Sequence, residues 1–178
     1  MAEKDKPAPA VLRFFQADWR RKWLWVEASW YLAIATFLVK VVPFKHWRGL
    51  LGTPAKANET ANTFPRARKL DTDMPSRIGY AVIGAAAHLP WKPVCLPQAM
   101  AGLMMLRKRG FATDVYFGSR LAQTSDKPID LHAWLVTNDI CITGFDTMRT
   151  FVALSVFHRA AKSAQADATD KAKGGAKL

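Results

Sequence analysis

The chain has 178 residues, 50% of them apolar and 22% charged, which is enough for one sizeable hydrophobic core and too apolar for wholesale disorder. A formal net charge of +12 draws it toward something anionic, whether a membrane surface, a nucleic acid or an acidic peptide or protein. Two cysteines, Cys95 and Cys141, exclude a disulfide framework and a Cys-x-x-Cys metal site; with no secretory pattern at the N-terminus, they fit a reducing cytoplasm.

In chain order, residues 1–11 carry prolines and charges and are expected to be disordered. Residues 12–52 read as helix, with Asp18 as N-cap, a stop near Pro43 and a resumption to Gly52. Between Lys22 and Lys40 lie 17 residues whose only charge is Glu27. At about 1.5 Å per residue they cover roughly 26 Å, a little short of a hydrocarbon core. Three readings stay open for this helix: buried in a core or against a partner, lying on a bilayer with its tryptophans near the headgroups, or spanning it. Residues 53–75, rich in Pro, Thr, Asn and charge, read as a linker.

The region 76–162 then reads as one α+β unit. Ser76 is the expected N-cap of a helix that Pro90 ends, with small residues for close packing and His88 as a helix-end residue. A further helix starts after Cys95, with Pro97 in its first turn, a buried face of Leu, Ala and Met, and Gly110 as its stop. Past Gly110 the period shortens to two: "FATDVYFGSRL", "LHAWLVT" and "ICITGFD" are strand-like, the last two joined as a hairpin near Asn138-Asp139. Cys141 is expected in the strand core, and "TFVALSVFHRAAK" reads as either strand or helix, with helix preferred. The tail, 163–178, is expected to be disordered.

Thiol chemistry needs a thiolate, and a helix N-terminus favours one through its unsatisfied N–H groups and positive dipole end. Cys95 sits at such a place. A cysteine acyl-transfer site also needs an imidazole to move the proton and a third group to orient the ring. His132, heading a strand, and Asp146, after the next strand, follow in workable order. Asp139, at the hairpin tip, is roughly 23 Å of strand from His132, too far to serve. Asp130 belongs to or beside a solvated loop. Asp146 faces His132 only if the turn is odd in length or a bulge has the same effect. Each residue alone has a plain structural reading; the combination points to catalysis.

This arrangement resembles the transglutaminase-like branch of the papain-like fold, through Cys95 at a helix start, His132-Ala133-Trp134 on a strand and Asp146-Thr147 beyond it. More narrowly, "LPWKPVCLPQAMAGLMMLRKRGF", "VYFGSR" and "LHAWLVTNDICITG" are similar to the lasso-peptide processing B proteins, the leader peptidases of microcin-type lasso peptide biosynthesis. The likeness runs from about Leu12 to Arg159. It implies an N-terminal helical region followed by a small transglutaminase-like domain whose helix-start cysteine packs on a short antiparallel sheet. It also implies a cytoplasmic cysteine peptidase, using no cofactor or metal, that removes the leader from a ribosomally made precursor and passes the core peptide to an ATP-using macrolactam cyclase. The stretch before Leu12 is too short for a leader-recognition domain, so a separate recognition protein is expected. An anionic membrane surface is a further candidate partner, and nucleic acid is not one. The alternatives are acyl transfer or deamidation on a peptide by the same triad, and a non-catalytic membrane-surface or peptide-binding module.

Overall fold

The computed structural model describes residues 19–56, 73–122 and 128–161. The expectations for residues 1–11 and 163–178, the Asp18 cap and residues 57–72 of the linker lie outside the described residues.

Helix α1 spans Trp19–Val41 and α2 spans Phe44–Leu51. Pro43, extended at φ −56 and ψ 139, separates them because its ring excludes a helical hydrogen bond and restrains Val42. The junction is held by the Trp47 indole, which donates to the Val42 carbonyl at 3.0 Å. The Arg159 guanidinium donates to the terminal carbonyls of Gly49 and Leu50. The expected linker begins instead with strand β1, Thr53–Lys56, which pairs antiparallel with the last strand.

Helix α3, Met74–His88, starts ahead of the expected Ser76 cap. The Asp73 carboxylate accepts from the Ser76 N–H at 2.9 Å, so Asp73 is the N-cap and Ser76 is a buried third-position residue. Pro75 fits in this first turn, where an N–H has no intrahelical acceptor. The small residues do permit close packing: a Cβ at Gly84 would stand 2.6 Å from the Trp25 ring. His88 ends α3, its Nδ1 2.8 Å from the Gly84 carbonyl. Helix α4 runs Cys95–Lys108 and lies with α1 and α3 in one layer.

The sheet is antiparallel and five-stranded, in the order β1-β5-β2-β3-β4, with β2 at Thr113–Leu121, β3 at Ile129–Thr137, β4 at Ile140–Thr143 and β5 at Val152–Arg159. The segment taken as helix is therefore strand β5. It makes ladders with both β1 and β2, and two sets of main-chain hydrogen bonds together outweigh a weak local preference. A one-turn helix, α5, Phe145–Met148, connects β4 to β5. The fold is α+β, as its pattern of elements implied.

The main core lies between helices and sheet, where Leu32, Ile78, Leu103, Leu106, Val115, Leu135 and Ile142 are fully enclosed. Each contributes about 1.5–3 kcal/mol of apolar burial. A smaller cluster of Trp134, Val136, Cys141 and Met148, flanked by Tyr116, Phe145 and Phe151, gathers around α5.

Candidate active site

Cys95 is the first residue of α4, preceded by Val94 as N-cap and by the buried Pro93. The Gln98 side chain turns back and donates to the Pro93 carbonyl at 2.8 Å, fixing the approach to the helix. The helix can lie close to β3 because its facing residues are small: Ala99 and Ala133 are buried, and a Cβ at Gly102 would meet a Leu135 methyl at 2.7 Å.

On β3 the period of two separates "HAW" into two faces. Ala133 faces one way, while His132 and Trp134 face the other and stack at 6.0 Å between ring centres. Tyr116, the direct cross-strand partner of Trp134, lies parallel to it at 5.5 Å. Phe151 covers the imidazole from another side at 5.0 Å, and the Arg120 guanidinium sits 4.7 Å from the Phe151 ring centre. Gly118, directly opposite His132, leaves room for this column; a Cβ there would be 2.8 Å from both the Trp134 ring and the Val152 carbonyl.

Strand β4 pairs with β3 only between Leu135 and Thr137, so the ladder on that edge stops short of His132. The N-terminus of α4 and the turn into α5 come to this edge. The Cys95 thiol lies beside the His132 imidazole and the Ala133 main chain, near enough for both to act on its ionisation. Burial disfavours ionisation of the thiol, but the imidazole hydrogen bond, the Ala133 main-chain bond, the attraction of the imidazolium and the Leu96 main-chain bond together hold it below the ordinary thiol value. Burial likewise opposes a charged His132. The thiol bond, the Gly144 carbonyl and the thiolate charge prevail, against Arg120, and raise the ring above its ordinary value. Each group thus shifts the other toward its charged form.

The second ring nitrogen fixes the tautomer. His132 Nε2 lies 3.2 Å from the Gly144 carbonyl and 2.9 Å from the Thr147 hydroxyl. A carbonyl only accepts, which assigns a proton to Nε2 and leaves Nδ1 for the thiol.

The hairpin has a two-residue turn, Asn138 and Asp139, both at positive φ, with Thr137 opposite Ile140. A bulge follows, so that Leu135 faces Thr143, and this one-residue shift is the one that would set His132 opposite Asp146. The strand does not extend that far. Gly144, at φ +80, turns the chain into α5, where Asp146 is exposed. The structure therefore brings Cys95 and His132 together and puts the Gly144 carbonyl and Thr147 hydroxyl, rather than the expected Asp146 carboxylate, on the ring. Asp130 pairs with Arg120 at 3.1 Å on neighbouring strands, and Asp139 occupies the hairpin tip.

Thr147 and Gly144 were present in the quoted motif without a role. The signal for Gly144 is a glycine at the end of a strand, where only a left-handed residue turns the chain so sharply. The Cys141 thiol is buried, 3.2 Å from the Thr143 carbonyl it donates to, as expected for a strand-core residue.

A family model described as the transglutaminase-like superfamily matches residues 38–156. The chain belongs to the transglutaminase-like superfamily. This superfamily includes cysteine peptidases and acyltransferases, and its match covers Cys95, His132 and the whole sheet from β1 to all but the last residues of β5. No curated protein and no solved structure matches the chain.

Proposed function

We propose that the chain is a cytoplasmic cysteine peptidase that removes the leader from a ribosomally made lasso-type precursor. It would work with a separate leader-recognition protein and an ATP-using cyclase. The observation that carries the peptidase reading is the placement of Cys95, at the start of α4, beside His132 on β3, where each favours the charged form of the other. The likeness of the segments around Cys95 and His132 to lasso leader peptidases supports the choice of substrate.

In this reading Cys95 Sγ attacks the scissile carbonyl carbon, and the C–S bond forms as the carbonyl oxygen takes up negative charge. The Cys95 main-chain N–H, at a helix position with no intrahelical acceptor, is available to that oxygen. Imidazolium Nδ1 gives its proton to the departing amine as the C–N bond breaks. His132, now neutral, takes a proton from water as the hydroxide attacks the thioester carbon; the C–S bond breaks, the leader acid is released and the thiolate and imidazolium are regenerated. Throughout, Gly144 and Thr147 keep the ring in one orientation.

The test incubates the full chain with a lasso-type precursor peptide and a leader-recognition protein and weighs the products. Two fragments whose masses sum to precursor plus one water, absent with Cys95→Ala, support the reading. An intact precursor, or a product carrying an added amine, contradicts it.

A further inference from the structure

Helix α1 is apolar on two opposite sides, and only one is packed against the other described residues. Leu24, Ala28, Leu32 and Ala35 are buried. At 3.6 residues per turn, Trp19, Trp23, Val26, Trp30, Phe37 and Val41 fall within an arc of about 60° on the other side. All six are between 54% and 68% exposed. The stripe is about 33 Å long at 1.5 Å per residue. An uninterrupted row of three tryptophans, a phenylalanine and two valines is far beyond the scattered apolar residues of an ordinary surface.

We propose that this face of α1 docks on an anionic lipid bilayer, with the helix lying in the headgroup plane. Charge is the first argument. Glu27 is the sole carboxylate between residues 19 and 56, and it is neutralised by Arg109 at 2.6 Å and Lys108 at 3.1 Å. Lys22 and Lys40 lie along one rim of the stripe, and exposed Lys45 and Arg48 follow in α2. An apolar strip edged by cations, with no carboxylate left uncompensated, complements a layer of lipid phosphates over acyl chains.

Side-chain chemistry is the second argument. Tryptophan presents an apolar body and a polar N–H, which suits the headgroup boundary. Ser29 and Thr36, beside the stripe, spend their hydroxyls on the Trp25 and Leu32 carbonyls of the same helix. They offer little directional bonding to fix a protein partner's register.

Packing of the opposite face favours lying over crossing. Residues 21–41 are long and apolar enough to cross a membrane. Crossing would expose Leu24, Leu32 and their neighbours to lipid and strip α3 and α4 of their packing, whereas lying flat uses only the free face. Trp19, Trp23, Val26, Trp30 and Phe37 lie ahead of residues 38–156, the segment matched by the superfamily model, and Val41 lies within it.

The experiment sediments the full chain with vesicles of phosphatidylcholine alone or mixed with phosphatidylglycerol. The expected result is binding to the mixed vesicles at least about tenfold tighter than to neutral ones, with bluer tryptophan emission and loss of binding as salt rises. A Trp30→Ser, Phe37→Ser double variant should lose at least about tenfold in binding while Cys95 is alkylated at the parental rate, showing an intact fold. Failure to bind mixed vesicles overturns the proposal, as does binding unchanged by the double variant. So does self-association or capture by the recognition protein that the double variant abolishes without any vesicle binding.

Discussion

A carboxylate on His132 would stabilise the imidazolium by charge; two neutral oxygens do so by geometry and dipole alone. The ring is raised here mainly by its partner thiolate, with the Gly144 carbonyl assisting, once the opposing effect of burial is overcome. The Cys95 pKa is lowered and the His132 pKa raised, so each group favours the charged form of the other. Activity should therefore rise as pH climbs through the first and fall as it climbs through the second, two steps that belong to the pair. Thr147→Val removes one acceptor from Nε2–H. This should reduce kcat/KM about tenfold, the factor that about 1.4 kcal/mol of lost hydrogen bonding produces, and move the alkaline limb to lower pH because the charged ring loses support. Thr147→Ser should restore both. Asp146→Asn, at an exposed position, should change kcat/KM by no more than about twofold, in keeping with a surface substitution. A large loss from Asp146→Asn with an unaffected Thr147→Val would return the orienting role to the carboxylate.

The turn from β4 into α5 and the joint between α1 and α4 are the elements that hold the two halves of the site in place. Gly144 stands at φ +80, and a Cβ there would meet His132 Nε2 and the Trp134 Cβ, each at 2.8 Å. Gly144→Ala should therefore lower kcat far more than it raises KM, while costing about 1–2 kcal/mol in urea unfolding from backbone strain. Parental kinetics in that variant would show that the turn does not position the ring. At the other joint, Glu27 takes hydrogen bonds from Arg109 and Lys108 across α1 and α4. Burial tends to raise the Glu27 pKa, but these bonds and charges lower it overall. A carboxyl lowered in the folded state adds stability above its unfolded pKa and loses it as pH falls through the folded one. Glu27→Gln should thus cost about 1–2 kcal/mol near neutral pH, with the gap from the parent closing under acid. A constant gap at every pH would assign the effect to packing.

For the whole molecule, the site is a meeting of two layers, and this explains what could be read in advance. Cys95 between Pro93 and Pro97 marks a helix start by local chemistry, "HAW" lies on a strand by its period, and Asn138-Asp139 marks a hairpin without fixing its turn length; all three are short-range signals. The strand identity of 152–159 was hidden because it comes from ladders to β1 and β2, the first of these about a hundred residues away in sequence. The groups on His132 Nε2 were hidden because they depend on a bulge and on where β4 stops. The two-faced character of α1 looked like a buried or membrane helix because a sequence shows apolar sides without showing which is covered. The central claim is that folding joins the α4 start to the β3 edge as a thiolate–imidazolium pair. Its most direct test is the iodoacetamide alkylation rate of Cys95 as a function of pH, read by peptide mapping in native protein and in urea. The account predicts that native Cys95, though half-buried, reacts faster below neutral pH than the same cysteine in urea, that His132→Ala removes this advantage, and that buried Cys141 reacts only on unfolding. Native Cys95 reacting more slowly than in urea at every pH, or unaffected by His132→Ala, would contradict it.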